Sequence, residues 1–463
     1  MKKRVILRKL TKQRFDALTY AKHPYATLSG REVEWYADTK ENVLGAIVLD
    51  RSDSDWSWVV LGRDEVGLFR AIDFGVSVPT IPKARKILRE RMRKHAETGE
   101  TTFPQRDVTR NKNLLFEPLV PEEKLCKHFK ILLDPHHQAA RGIIREIGYS
   151  LADVDGNFTE QFQTTAFNAR LWELFIYAFL HEQHVLLDRS HNRPDFIGNK
   201  LGFEFCIEAA TVNPSAQLSE PAPQTPEEVQ RLLTDYMPIK FGSPLFSKLK
   251  KLISEYSKLR QVKGKAFIIA LADFHDESSM TWSSSALTTY LFGKRFTWRK
   301  DVNGKLHVRN VSVKKHCWKH KTIPSNFFAQ PGAESVSAVL FTNCATVSKF
   351  NRMGELAGFG HKDVKMFRRG VCHDHNPDAT EARWFYAKVS PANYTEDWTQ
   401  GVVLFHNPLA TFPIPPDLFP GVAHYFIQKR RVAGVFPRFF PYSSQTLVMR
   451  ATRSRKRRKS SSQ

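Results

Sequence analysis

Three carboxylates in this chain are spaced so that they could act together. Pro194-Asp195 opens one short extended segment, and Glu208 lies thirteen positions on, inside Phe203-Glu204-Phe205-Cys206-Ile207-Glu208-Ala209-Ala210-Thr211. The second segment alternates with period two. As a strand it puts Glu204, Cys206, Glu208 and Ala210 on one face and Phe203, Phe205, Ile207 and Ala209 on the other. Carboxylates bounded by apolar surface are costly to bury unless cations or basic side chains partner them. Glu173 sits upstream in the most apolar helical run of the chain. Oxygen donors with room for water suit Mg²⁺ or Mn²⁺. Such an ion can polarise a phosphodiester and acidify an attacking water. Glu204 has a plainer expectation, as a structural acid paired with Lys or Arg.

These residues need elements to hold them. TTAFNARLWELFIYAFLHEQ carries apolar residues at helical spacing and predicts a helix over 164–183, with Glu173 on it and Arg170 one turn earlier. A short strand is expected at Val185-Leu186-Leu187. A hairpin follows, from Pro194-Asp195-Phe196-Ile197-Gly198 through a turn over Asn199-Lys200 into the alternating strand. Residues 213–235 read as a loop running into a helix. A basic amphipathic helix is expected over about 243–261, and Lys265 to Phe274 is a continuous apolar run, as in a strand covered on both faces. Helix, strand, hairpin, helix, strand is an α/β order.

At these positions the sequence resembles the PD-(D/E)xK nuclease superfamily. The match is Pro194-Asp195, a spacer, then Glu208, preceded by the helix bearing Glu173 and followed by a helix and a strand; it covers about residues 140–290. The resemblance implies a restriction-endonuclease-like mixed sheet flanked by helices. It implies that Asp195 and Glu208 ligate Mg²⁺ (or Mn²⁺) and that Glu173 joins or backs them. The family pattern has Lys two residues after the second acid, to orient water or offset developing charge. Here that position is Ala210. The positive charge must then come from elsewhere, and Lys248, Lys250 and Lys251 lie on the helix expected beside the hairpin. Lys248 and Lys251 share a face; Lys248 is preferred as the substitute, and Lys200 at the turn is the poorer choice. A narrower similarity, to a branch of bacterial proteins with a PDF…EA-type hairpin, a basic helix and a KFNRMG-like segment, takes in Lys349 to Gly354 and makes defence against foreign DNA a reasonable setting.

The rest of the chain bounds the partners. Among 463 residues, Lys plus Arg is 70 and Asp plus Glu is 47, a net charge of +23, which favours a polyanion such as nucleic acid. No run of about 18 apolar residues is present, so no membrane partner is expected. The first residues are basic without a signal-peptide apolar stretch, and the five cysteines are odd in number and scattered, so a cytoplasmic protein with reduced thiols is expected. Residues 1–100 read as a β-meander (strands near Val33–Ala37, Val43–Leu49, Trp56–Leu61 and Glu65–Ile72) followed by a basic helix. Residues 101–125 read as a linker, 126–300 as the nuclease-like core, 301–448 as its C-terminal α/β extension, and 449–463 as a disordered basic tail. Seven of the ten residues from Arg450 to Lys459 are basic. Arg455, Lys456, Arg457, Arg458 and Lys459 there, with Lys250 and Lys251, are candidate phosphate contacts. His316-Cys317-Trp318-Lys319-His320 and Cys372-His373-Asp374-His375 hold metal-ligand types without zinc-finger spacing. No phosphate-binding glycine loop is present.

The expected activity is metal-dependent hydrolysis of nucleic acid, with DNA preferred and a homodimer admissible. Two alternatives stay open. One is an inactive nuclease-fold DNA-binding protein, suggested by Ala210. The other is a scaffold whose charge engages an acidic protein.

Overall fold

The computed structural model describes residues 5–107, 110–153, 156–215, 219–277 and 279–450. Its centre is one mixed sheet of eight strands. From one edge these are Leu186–Asp188, Phe196–Lys200, Phe203–Val212, Ala266–Asp273, Ala338–Thr342, Val402–His406, Ala423–Gln428 and Arg431–Val435. The order across the sheet is the order along the chain. The first three strands form an antiparallel meander, and Phe203–Val212, Ala266–Asp273 and Ala338–Thr342 then run parallel to one another.

Ala266–Asp273 is buried at every position. Its alternate residues divide between two cores. Ala266, Ile268, Ala270 and Ala272 meet the helices Gln138–Ser150 and Phe167–Glu182, while Phe267, Ile269 and Leu271 meet Met237–Ser254 and Ser285–Phe292. A strand covered on both faces reads as a continuous apolar run for this reason. Phe167–Glu182 is covered nearly all round, which is why its apolar residues extend beyond one stripe.

The hairpin turn and the lysine-bearing helix differ from the sequence expectation. The hairpin turns at Leu201-Gly202, not over Asn199-Lys200. Both turn residues have positive φ, +52° and +90°, the geometry of a two-residue hairpin loop, and Asn199 Oδ1 accepts from the Gly202 N–H at 3.0 Å. The lysine-bearing helix begins at Met237, six residues before Ser243, and ends at Ser254. It contains Pro238 in its first turn and Pro244 inside. An internal proline costs about 3 kcal/mol. The helix nevertheless buries Met237, Ile239, Phe241, Leu245, Leu249 and Leu252. At roughly 1.5–3 kcal/mol for each large side chain, that outweighs the proline.

The N-terminal part is a five-stranded antiparallel sheet with strands in chain order, covered by the helix Ile81–Glu97 through Ala84, Leu88 and Met92. Its last strand is Phe69–Val78 rather than Glu65–Ile72, because Asp64 Oδ1 accepts the N–H groups of Val66 and Leu68 and closes a turn there. The basic helix is partly committed inside this unit: Arg85 pairs with Glu34 at 2.6 Å and Arg89 lies over the Tyr36 ring. The described residues of 101–125 lack long elements, yet Phe103 and Leu115 among them are buried in the fold. Arg63 forks onto Glu146 at 2.8 and 3.0 Å and ties this sheet to the helix Gln138–Ser150. Beyond the central sheet, Arg383–Val389, Val364–Cys372 and Pro441–Arg450 form a three-stranded antiparallel sheet.

Candidate active site

The hairpin and its two flanking helices meet at one open cleft of about 440 Å³, lined by Arg170, Glu173, Asp195, Glu208, Lys248, Lys251 and Tyr256 among others. Each element contributes for a local reason. Phe205 and Ile207 anchor the return strand in one core and Cys206 and Ala210 in the other. Glu208 is held between them, 3% exposed. Asp195 stands just before the strand Phe196–Lys200, and its Oδ2 accepts the Ala209 N–H at 2.7 Å. Lys248 comes from the helix Met237–Ser254, and Tyr256 from the 3-10 turn just after it.

Glu208 Oε1 collects the donors: Lys248 Nζ at 2.7 Å and the Tyr256 hydroxyl at 3.0 Å, with Lys251 Nζ at 3.8 Å. Among the described residues, Glu208 Oε2 and Asp195 Oδ1 take no protein donor. Glu173 is held differently. Both its oxygens accept from Arg170 Nη1, at 2.9 and 2.8 Å, and Arg170 Nε in turn donates to Gln161 Oε1 at 2.9 Å. Burial, then the nearby Glu208 and Glu173 charges, push Asp195 up to about 7. Burial raises Glu173 as well, against the opposing Arg170. Burial and the adjacent Glu208 carboxylate hold the Tyr256 phenol well above its ordinary value.

The structure thus brings together Glu173, Asp195, Glu208 and Lys248. Lys251 shares the cleft. Lys250 is exposed outside its lining, with its ammonium 4.7 Å from the Phe246 ring centre. Lys200 is elsewhere, donating to the Leu418 carbonyl at 2.6 Å. Glu204 is exposed and pairs with Lys265 at 3.1 Å, the structural role expected of it. Arg455, Lys456, Arg457, Arg458 and Lys459 lie outside the described residues. Sequence reasoning missed two contributors. Tyr256 is eight residues after Lys248, about two helical turns, and that spacing could have indicated it. Arg189 donates to the Asp195 carbonyl at 3.2 Å and to the Ala152 carbonyl at 3.1 Å, steadying the hairpin from outside any motif.

Other metal-ligand types are not assembled here. His316 is buried, with Nδ1 on the Thr234 carbonyl and Nε2 on the Ser325 hydroxyl, both at 2.9 Å. His373 Nδ1 contacts the Tyr442 hydroxyl, and its ring stacks on Phe436. Among the described residues, Asp50, Asp53 and Asp55 on a turn of the N-terminal sheet form the acidic group whose oxygens already lie within 4.8 Å of one another. In the cleft, Arg170 and Lys248 hold Glu173 and Glu208 instead.

The KFNRMG-like segment is structural. Lys349 and Arg352 grip the buried Glu396, at 2.8 and 2.7 Å, and Asn351 Oδ1 accepts the Ala140 N–H at 3.0 Å. Comparison with protein-family models, with curated proteins and with solved structures finds no match for this chain.

Proposed function

We propose that this chain is a metal-dependent nuclease of restriction-endonuclease-like fold that hydrolyses phosphodiester bonds of nucleic acid, DNA above RNA. The observation that carries it is the convergence of Glu173, Asp195, Glu208 and Lys248 on one open cleft. The element order supports it too: helix, three-stranded meander, helix, then a strand parallel to the third. The donor set fits a hard divalent cation. It is all oxygen, two of those oxygens lack protein donors among the described residues, and burial, then like-charge repulsion, raises Asp195. Asp195 and Glu208 would hold Mg²⁺ or Mn²⁺, with Glu173 behind them. Bound there, the ion supplies a Lewis acid for the phosphodiester and lowers the pKa of water.

The chain's own residues do the rest. Lys248 Nζ provides the cation that Ala210 cannot, placed to offset charge building on the phosphoryl oxygens. Lys251 and the net charge of +23 draw the polyanion in. Tyr256 fixes the rotamer of Glu208, and Arg170 fixes Glu173. A catalytically inactive nucleic-acid-binding protein is the alternative. One observation favours it: Arg170 and Lys248 already neutralise two of the three acids.

Plasmid, linear duplex and single-stranded DNA, and RNA, incubated with Mg²⁺, Mn²⁺ or EDTA, separate the two. Wild type is expected to cut only with metal, Asp195→Ala to lose cutting, and Lys248→Ala to lose about 10²–10³-fold, as for removal of one charge-stabilising donor. Wild type that binds tightly but cuts under no condition would establish the inactive binder.

A further inference from the structure

We propose that the exposed face of the three-stranded sheet is a stacking platform for single-stranded nucleic acid. One face of this sheet is packed inward through Met366, Arg368 and Cys372. On the other, Trp384 and Tyr386 are 78% and 65% exposed. They stand two residues apart on the edge strand Arg383–Val389, hence about 7 Å apart on the same side. Tyr386 is paired with Arg369 and stacks on Phe367, ring centres 5.7 Å apart and planes within 19°. The register adds Lys388 opposite Phe367 and Lys365 opposite Met449 to this face. An exposed aromatic row that served only a protein core would be covered, and this one is not.

Charge selects the occupant. None of the three strands contains an Asp or Glu, and Lys365, Arg369 and Lys388 carry no ion pair among the described residues. The sequence directly beyond Arg450, the last residue of the third strand, is strongly basic. Apolar protein partners do not require that bias; a phosphate backbone with unstacked bases does. Rings take base faces, and the lysines and arginine take the phosphates between them. Choosing a nucleic acid rests partly on the function proposed for the cleft, but the test does not need the cleft to cut.

The full chain carrying Asp195→Asn, in EDTA, is titrated into fluorescent oligomers of about 15 nucleotides: single-stranded DNA, single-stranded RNA and duplex DNA. Heparin, an anion without bases, is the control. Trp384→Ala is expected to weaken single-strand binding about tenfold, and Trp384→Ala with Tyr386→Ala about a hundredfold, leaving heparin binding unchanged. Lys365→Glu with Arg369→Glu should weaken both and flatten the salt dependence. Oligomers bearing 5-iodouracil should crosslink to Trp384 or Tyr386. If Trp384→Ala lowers the melting temperature, Trp384→Phe, which keeps a ring, must retain binding. Wild-type affinity in the ring variants, crosslinks confined to other elements, or equal loss for duplex and single strands would overturn the platform. Metal-dependent cutting by wild type beside unaffected oligomer binding in the ring variants would remove the platform and leave the nuclease. Absent cutting with ring-dependent binding would do the reverse.

Discussion

Glu208 shows how one buried acid can be tolerated. Two donors bond one oxygen and the Lys251 ammonium stands nearby, so removing the Tyr256 hydroxyl leaves cations to hold the charge. If the cleft cuts nucleic acid as proposed, Tyr256→Phe is expected to lower kcat about three- to tenfold while shifting stability by no more than about 1 kcal/mol, checked by initial rates beside thermal melts. Glu396 is the opposite case. Its side chain is fully buried among those of Lys349, Arg352 and Arg368, which hold its carboxyl far below the usual range against the cost of burial. Glu396→Ala would strand three buried cations and should cost about 3–5 kcal/mol by urea denaturation. Glu182 gives a pH signature. Burial, then the neighbouring Asp397, push its carboxyl up to about 7. The folded state thus binds a proton between the ordinary value near 4.5 and about 7 that the unfolded state has lost, and stability from this group falls as pH rises through that window. Glu182→Gln keeps an acceptor for the Trp398 and Thr399 N–H groups. It should be neutral at pH 4 and stabilising by about 1–3 kcal/mol at pH 8, read from melting curves at both.

Elements succeed or fail here by how closely they approach. The helix Val347–Leu356 lies against Gln138–Ser150 with Gly354 at the crossing, where an added Cβ would land on the Ala139 carbonyl. Gly354→Ala is expected to cost about 2 kcal/mol or more by forcing the helices apart, measured by chemical denaturation. That crossing could not be read from the sequence, where the segment was notable only for its likeness to other proteins. What could be read followed from period and composition. The helix bearing Glu173, the hairpin strands and the covered strand Ala266–Asp273 each have a pattern that one backbone geometry satisfies. The lysine helix was legible from its basic and apolar spacing but not at its ends. Pro238 and Pro244 argue for a start near Ser243, with Pro244 in the first turn, and only the burial of Met237, Ile239 and Phe241 overrides that preference. The cleft was partly legible for the same reason. Asp195 and Glu208 are close in sequence and lie on strands joined by a two-residue turn, whereas Tyr256 reaches Glu208 through tertiary contact and Arg189 bonds the backbone at Asp195 and Ala152 outside any pattern.

The whole molecule carries a net charge of +23, and three of its acids line the cleft. If it binds nucleic acid, the logarithm of affinity should fall linearly with the logarithm of salt. Deleting residues 451–463 removes six basic side chains and should reduce the magnitude of that slope by up to about 5, provided those groups contact phosphate. The central sheet carries a different consequence. Because its strand order follows the chain, each strand finds its partner already made when it leaves the ribosome. The hairpin and Ala266–Asp273 can dock on the helix Phe167–Glu182, and the lysine helix on the opposite face of those strands, while the last four strands are still unsynthesised. Folding during translation should then proceed from the cleft outward. Nascent chains stalled at increasing length are expected to gain protease resistance near residue 186–273 before the strands beyond 338 acquire any; protection arising only after residue 435 has emerged would show that the sheet closes as one unit.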